Sequence, residues 1–116
     1  MKKIKTVEGF DIYFEAEEEW VDKKTHYIKE CGWSEEEYKK YGTGGKWFCA
    51  KVVAKKADIE LSTQYLGCCH YDKISDFYHA SSGYFDDMVA EAVAEAKEQL
   101  PKVIDHYSTI ASKLAA

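Results

Sequence analysis

The sequence contains no arginine, a single proline and no long apolar run. Arginine is the usual partner of phosphates and guanine edges, because its planar guanidinium donates two parallel hydrogen bonds. Its absence, together with a net charge of −5, argues against a nucleic-acid-binding protein. No stretch approaches the roughly 20 apolar residues of a membrane span, and no apolar run follows the basic start as in a signal peptide. We therefore expect no contact with nucleic acid or membrane.

Cysteine is present at four positions, Cys31, Cys49, Cys68 and Cys69. Disulfides persist in oxidising compartments, whereas the cytosol keeps thiols reduced. Without a predicted leader, the sequence indicates reduced thiols and a cytoplasmic protein. Because free cysteine commonly behaves as a small apolar residue, these thiols are predicted mainly to pack in the core.

The length of 116 residues predicts one domain over residues 1–116. Such a chain can bury about two thirds of its unfolded surface without a metal or a disulfide. The three Trp, nine Tyr and five Phe exceed the needs of a core of this size, and surplus aromatic residues are typical of binding surfaces. The net charge is +1 over residues 1–56 and −6 over residues 57–116, so the C-terminal half is the acidic one.

The N-terminal half predicts a hairpin followed by two helices. Lys2–Val7 and Phe10–Ala16 flank a short turn, and the second segment alternates apolar and polar residues as a half-buried strand does. An apolar arc at helical spacing predicts a helix over Trp20–Cys31. Ser34 followed by three glutamates is a capping-box pattern and predicts a short helix that ends at Tyr41.

The C-terminal half begins with a second hairpin. Lys46–Ala54 and Ile59–Leu66 each place apolar residues on one face of a strand. Residues 67–83 are predicted to be irregular, with a short helical turn near Ile74–His79. The second hairpin thus supplies strands three and four.

The last third of the sequence is strongly helical. The apolar residues of 84–100 fall within an arc of roughly 140°, and Asp86-Asp87 is expected to begin this helix, with Ser82 or a neighbour as its cap. Pro101 either kinks the helix or begins a new one. A second apolar stripe follows and comprises Val103, Ile104, Tyr107, Ile110, Ala111 and Leu114.

The element order is therefore ββααββαα. The simplest architecture for this order is a single α+β domain. It has an antiparallel four-stranded sheet with the C-terminal amphipathic helices packed on one face.

A glycine-rich segment, residues 42–46, superficially resembles a phosphate-binding loop. That motif requires a glycine five residues before the one that precedes the lysine, and a Ser or Thr after the lysine. Lys40 and Trp47 occupy these two positions. The segment is therefore predicted to be a connecting loop.

Metal and catalytic sites are not indicated by the spacing of Cys and His. Cys68–His70 is one dense cluster, with Cys49 as a possible cross-strand neighbour, whereas structural zinc prefers spaced ligand pairs. Adjacent strand residues point to opposite faces, so the two cysteines of the cluster are not expected to share a metal. His26 and Cys31 are about 140° apart on an α-helix and are expected to diverge. We predict no catalytic residue, no metal and no cofactor.

One face of the predicted 84–100 helix is acidic. Asp87, Glu91, Glu95 and Glu98 fall within roughly 80° of arc beside the apolar stripe, with Lys97 nearby. Such a face is either simply solvated or docks on a basic groove, where it attracts Lys/Arg-rich partners. These four acids are candidate partner-binding residues.

A second candidate surface is the segment Gln64–Tyr71, in which small residues lie between rings and a histidine. With residues 76–79 and 82–84 it is predicted to form an aromatic edge, at which Gly67 permits a bulge or a close backbone approach. The rings either pack against the C-terminal helices or line a pocket for a ligand or partner. The candidate binding residues here are Tyr65, Tyr71 and Tyr84.

Several runs of the sequence resemble a family of small uncharacterised proteins encoded by phages and prophages of Firmicutes-type bacteria. The resemblance covers about residues 46–100. It is carried by Trp47–Val52, Asp58–Leu61, Tyr65–Cys69, Asp76–Tyr78 and Gly83–Val89. It implies a context in which small acidic proteins act by binding host components, as anti-CRISPR and other anti-defence inhibitors do. It carries over no site residues.

Three functional hypotheses follow. The first is a non-enzymatic inhibitor of a host defence protein that docks its acidic and aromatic surface on a basic partner. The second is a protein that binds or sequesters a small, nucleotide-like signal between aromatic rings. The third is a small thiol-dependent enzyme that uses Cys68, Cys69 or Cys49 with His70. The aromatic richness and a predicted exposed strand edge also favour a homodimer.

Overall fold

The structure, a computed structural model, describes residues 1–79 and 83–115. It confirms the predicted α+β class, with one antiparallel sheet in the strand order β1-β2-β3-β4 and the C-terminal helices on one of its faces. The strands are β1 (Lys2–Val7), β2 (Phe10–Glu17), β3 (Lys46–Lys56) and β4 (Ile59–Tyr71). β1 and β4 are therefore the edge strands.

Both hairpins close as predicted, through two-residue turns. Glu8 and Gly9 have φ angles of 51° and 84°, and Ala57 and Asp58 have φ angles of 49° and 63°. Positive φ at both central residues gives the turn whose twist matches that of the flanking strands. Glycine adopts such angles without strain, which explains Gly9.

The two helices between the hairpins and the helical turn near 76–79 were predicted, whereas the two helices predicted on either side of Pro101 are one. α1 (Lys23–Thr25) and α2 (Glu35–Glu37) each continue as one π-helical turn, over His26–Glu30 and Tyr38–Gly42. α3 (Asp76–His79) is a single turn, and α4 (Tyr84–Ala115) is one long helix.

The first helix begins later than predicted. Asp22 caps it by accepting a hydrogen bond from the Thr25 amide at 3.0 Å, and Trp20 precedes the helix and is almost fully exposed. The apolar arc assigned to the 20–31 segment therefore contained a residue that does not pack. The capping box at Ser34 is confirmed, since its hydroxyl and the Glu37 carboxylate each bond the other's amide.

The core lies between the sheet and the first half of α4. Phe14 stands opposite Val52 and Ile12 opposite Ala54, so the alternation read from the sequence places these side chains on the helix-facing side. Phe77 of α3 closes one end of this core and is fully buried. From α4 the core receives Phe85, Met88, Val89, Ala92, Val93 and Ala96.

Strand β4 is longer than predicted. It continues into the first residues of the segment expected to be irregular and ends at Tyr71, because a bulge at Gly67 and Cys68 absorbs a register shift against β3. Cys68 takes the left-handed conformation there, with φ at 56°. Beyond the bulge Cys69 is buried among the core residues, whereas Cys68 is half-buried beside Glu19, so the two thiols diverge as predicted.

The connection between β2 and β3 covers one end of the other sheet face. Trp47 donates its indole N–H to the Val21 carbonyl at 2.8 Å, and the ring of Tyr27 stacks on that of Trp33 with centroids 4.3 Å apart. Many of the aromatic residues in excess of the core therefore pack here, as a cluster of rings on the sheet face opposite α4.

Helix α4 extends well beyond the sheet. The radius of gyration is 18.7 Å and the longest dimension 70 Å, whereas a compact domain of this length has a radius of gyration of about 13 Å. The helix continues through Pro101 rather than ending there. The second apolar stripe therefore lies on the same helix as the first but past the sheet.

Within the described residues, no helix combines the length and the apolarity needed to cross a membrane.

Candidate functional site

The four predicted ridge acids lie together on one exposed side of α4. Asp87, Glu91, Glu95 and Glu98 are all exposed, and we call this surface the acidic ridge. It faces the β4 side of the molecule, because Gln64 of β4 donates to the Glu95 carboxylate at 2.8 Å. β4 is an edge strand, so the ridge runs beside a row of backbone groups that no neighbouring strand uses.

Lys97, the lysine near these acids in the sequence, is directed away from the ridge. Its amine lies 2.6 Å from the Glu8 carboxylate in the first hairpin, on the opposite side of α4. Lys5 likewise pairs with Asp86 at 3.6 Å on that side. Among the described residues, no lysine amine lies within the 4.0 Å of an ion pair from any ridge carboxylate. The negative charge of the ridge is therefore left to solvent or a partner.

Tyr84 extends the ridge at its N-terminal end. It precedes Asp87 by three residues and Glu91 by seven, so it occupies the same helix face, and 56% of its surface is exposed. Tyr71 is half-buried and packs edge-on against Phe77, with ring centroids 5.5 Å apart. Both tyrosines line one cleft.

Tyr65 lies elsewhere. It is 59% exposed on the sheet face opposite α4, where its ring centroid is 6.0 Å from the Lys51 amine. Its β3 partner is Lys51, whereas helix-facing Leu66 pairs with Ala50. The aromatic edge was predicted as one surface, but its tyrosines lie on two different faces of the molecule. Ser82 of that edge lies outside the described residues.

The cleft at the edge of β4 has a volume of about 280 Å³. Its lining comprises Tyr27, Leu66, Gly67, Cys68, Cys69, His70, Tyr71 and Tyr84. No lysine is among them, and the volume is below the range of about 300–1,000 Å³ typical of small-molecule sites. A phosphate-bearing ligand would find no cation in this lining.

Glu19 fixes the bulge that shapes this cleft. Its carboxylate accepts the Cys68 amide at 2.7 Å and the Val21 amide at 3.0 Å. These backbone hydrogen bonds hold the pKa of Glu19 below its ordinary value of 4.5. A Cβ at Gly67 would lie 3.0 Å from the same carboxylate. The sequence indicated only that an acidic run ends β2, and no local signal pairs Glu19 with a segment almost fifty residues later.

His70 is held at both ring nitrogens. Nε2 lies 2.9 Å from the Gly44 carbonyl and Nδ1 lies 2.8 Å from the Tyr27 hydroxyl. A carbonyl only accepts, so Nε2 donates, and in the neutral ring Nδ1 accepts from Tyr27. Neither nitrogen remains available as a general base. The glycine-rich loop at 43–45 serves this contact and leads into a strand, whereas a phosphate-binding loop leads into a helix.

Three of the four thiols are poor nucleophiles at neutral pH. Burial raises the pKa of Cys69 to about 11, and burial also raises the pKa of Cys49 and of Cys68. Since the thiolate is the reactive form, these raised pKa values disfavour reaction at all three thiols. These contacts therefore do not activate Cys49, Cys68 or Cys69 as a nucleophile paired with His70, the arrangement considered from the sequence.

The prediction that His26 and Cys31 diverge is wrong. The Cys31 sulfur lies 3.6 Å from His26 Nε2, and the Cys31 amide donates to the His26 carbonyl at 3.1 Å. The segment forms a π-helical turn, in which each residue turns through less than the 100° of an α-helix. Residues five apart therefore come to the same side. Cys31 is exposed.

Across residues 1–79 and 83–115, no group of three or more His, Cys, Asp or Glu side chains has the arrangement to hold a metal ion.

Comparison with models of protein families, with curated proteins and with solved structures found no match for this chain.

Proposed function

We propose that this protein is a non-enzymatic, phage-type inhibitor that acts in the cytoplasm. It docks its acidic ridge on a basic surface of a host protein. A bacterial defence nuclease, of the kind that anti-CRISPR proteins block, is an example of such a partner. The observation that carries the proposal is the ridge itself. Four carboxylates share one exposed helix face, and the nearby lysines pair on the opposite side.

Electrostatics explains why such a face would suit a basic partner. Carboxylates along one helix face sum to a negative potential that steers a positively charged surface toward them. Tyr84 at one end and the edge of β4 alongside add an aromatic ring and hydrogen-bonding backbone groups to the same side. Whole-surface mimicry of nucleic acid is not implied, since the chain also carries 16 lysines.

Charge reversal of the ridge tests this proposal. We expect the triple variant Glu91→Lys, Glu95→Lys and Glu98→Lys to bind a defined basic probe, an oligolysine peptide, about tenfold or more weakly than the unchanged protein, because several ion pairs of modest individual strength are lost together. Titration calorimetry at low salt measures the affinity, and added salt should weaken the binding of the unchanged protein.

A matched variant separates the ridge from overall charge. Glu18→Lys, Glu30→Lys and Glu36→Lys makes the same change in net charge at three exposed positions outside α4. It should bind nearly as well as the unchanged protein, and both variants should keep their circular dichroism and melting temperature. Equal losses in the two variants would show that net charge rather than the ridge binds the probe. The ridge variant and its control can then be compared in pull-downs from host lysate.

A second candidate function, thiol-dependent chemistry, is favoured by the Cys31–His26 contact alone. A histidine beside an exposed thiol can take up its proton. With a chromogenic disulfide reagent at pH 7 and native conditions, we expect one thiol to react at least about tenfold faster than the other three, because burial raises the pKa of the others. Cys31→Ser should remove the fast phase and His26→Gln should slow it. Four equally slow thiols would eliminate this candidate.

A further inference from the structure

The apolar stripe of α4 continues for about four turns past the end of the sheet. From residue 101 to 115 every side chain except Val103 is exposed, and Ile104, Tyr107 and Leu114 are 57%, 55% and 83% exposed. Scattered apolar residues are ordinary on a surface, but a contiguous patch marks an interaction site. An isolated helix of this length is marginal in water without such packing.

A groove lies beside this stripe. One wall is the tip of the second hairpin, with Lys56, Ala57 and Ile59, and the other is α4 from Leu100 to Ala111. The groove has a volume of about 480 Å³. Its walls are mainly apolar, so it favours an apolar helix over a charged ligand.

We propose that a second copy of this chain fills the groove, so that the two α4 helices pack antiparallel about a two-fold axis between Tyr107 and Ser108. The surface is then isologous, each copy presenting the same stripe to the other. In this register the end of each helix, at Leu114, reaches the hairpin tip of the other copy near Ala57 and Ile59.

The order of large and small residues supports this register. With the axis between residues 107 and 108, Ile104 meets Ala111 of the second copy and Tyr107 meets Ser108, so each large side chain faces a small one. Alternation of large and small residues across facing positions lets two helices interdigitate. Parallel packing would instead place Tyr107 against Tyr107 and Ile104 against Ile104.

The stripe leaves large apolar side chains for a second copy to cover. Ile104, Tyr107, Ile110 and Leu114 are 57%, 55%, 38% and 83% exposed, and a stable specific interface buries about 1,200 Å² or more in total. Lys56 is the one charged residue in the described lining of the groove, and the charges of α4 do not oppose the contact. Lys102 and Lys113 lie about 100° or more from the centre of the stripe and point sideways into solvent, and the acidic ridge lies outside it.

The oligomeric state tests the proposal. We expect light scattering after size exclusion to give twice the chain mass of 13.3 kDa at high micromolar concentration, and Ile104→Lys or Tyr107→Glu to give the monomer mass. Thr109→Glu, about 160° round the same helix from Tyr107 and exposed, adds a charge without touching the stripe and should remain dimeric. Because the interface is apolar, added salt should not dissociate the dimer.

Crosslinking tests the register. In a Cys31→Ser background, a cysteine introduced at Ser108 lies beside the two-fold axis and should form a disulfide with its symmetry mate under mild oxidation. A cysteine introduced at Ala111 should not, because it faces Ile104 of the second copy in the antiparallel register and would meet its own symmetry mate only in a parallel pair. Crosslinking at 111 would overturn the antiparallel arrangement.

A protein that stays monomeric up to several hundred micromolar, or a dimer that Ile104→Lys and Tyr107→Glu leave unchanged, would overturn the proposal. A monomer that captures an amphipathic helix of another protein through the same groove would also do so. The inference does not rest on the proposed function. Reversal of the ridge charges leaves the dimer intact, and the stripe variants leave ridge binding to a basic probe intact, so the two proposals fail separately.

Discussion

Replacement of Phe77 by alanine is expected to lower the free energy of unfolding by about 3–5 kcal/mol. The ring is fully buried. It stacks on Phe14 at a centroid distance of 5.5 Å and meets Phe48 and Tyr71 edge-on at 6.1 and 5.5 Å. Its removal leaves a cavity among other rings that α3, a single turn, cannot close by shifting.

A loss of this size is large for a domain whose total stability is typically about 5–15 kcal/mol. It corresponds to a fall in melting temperature of roughly 10–30 °C. Urea unfolding at pH 7 measures the free energy, with Ile74→Ala as the control. Ile74 lies three residues earlier and is partly exposed, so the same kind of truncation there should cost about 1 kcal/mol or less. A comparable small cost at Phe77 would mean that α3 does not close the core.

Removal of the Glu19 charge is expected to cost about 1–2 kcal/mol at neutral pH, because the carboxylate accepts two backbone amides and hydrogen bonds to charged groups are the stronger kind. Glutamine cannot accept both amides through one carbonyl oxygen, so Glu19→Gln leaves one without a good partner. The bulge at Cys68 then loses the contact that holds its left-handed backbone.

The pH dependence of this difference has a definite sign. The pKa of Glu19 is lowered in the folded state by the amides of Cys68 and Val21, so its contribution to stability is fully present above its ordinary value of 4.5 and is lost as the pH falls through the folded value. Urea unfolding at several pH values should therefore show the unchanged protein and Glu19→Gln converging at low pH.

Glu18→Gln provides the matched control for this measurement. Glu18 is the exposed neighbour of Glu19, and its replacement should change stability by no more than about 0.5 kcal/mol. A Glu19→Gln difference that stays constant from neutral to acid pH would show that lost packing, rather than the charge on Glu19, causes the destabilisation.

The ridge and the stripe give α4 two separate roles. The first half of the helix uses its apolar face to complete the core and its acidic face to meet a partner. The second half has the same apolar face but no sheet beneath it. Dimerisation through the second half would place two ridges on one particle, which raises the effective concentration of the second once the first has bound.

The sequence by itself determined the α+β class and the approximate place of most elements. Alternation of Phe10, Ile12 and Phe14 identified a strand, the Ser34 capping box identified a helix start, and apolar spacing identified the core face of α4. Each of these patterns spans only a few residues and reflects local geometry, so the structure agrees with the prediction there. The acidic ridge was visible for the same reason, since neighbours on a helix face are three or four residues apart.

Only the tertiary structure determined which residues of different elements contact one another. Glu19 binds the bulge at Cys68, and His70 bonds Tyr27 and the Gly44 carbonyl, contacts across 26 to 49 residues of sequence that no local periodicity encodes. The π-helical turn that joins His26 to Cys31 departs from the α-helical angle on which the sequence argument relied. The stripe at 103–114 has the same spacing as the stripe that packs, so only the length of the sheet decided which of the two became core.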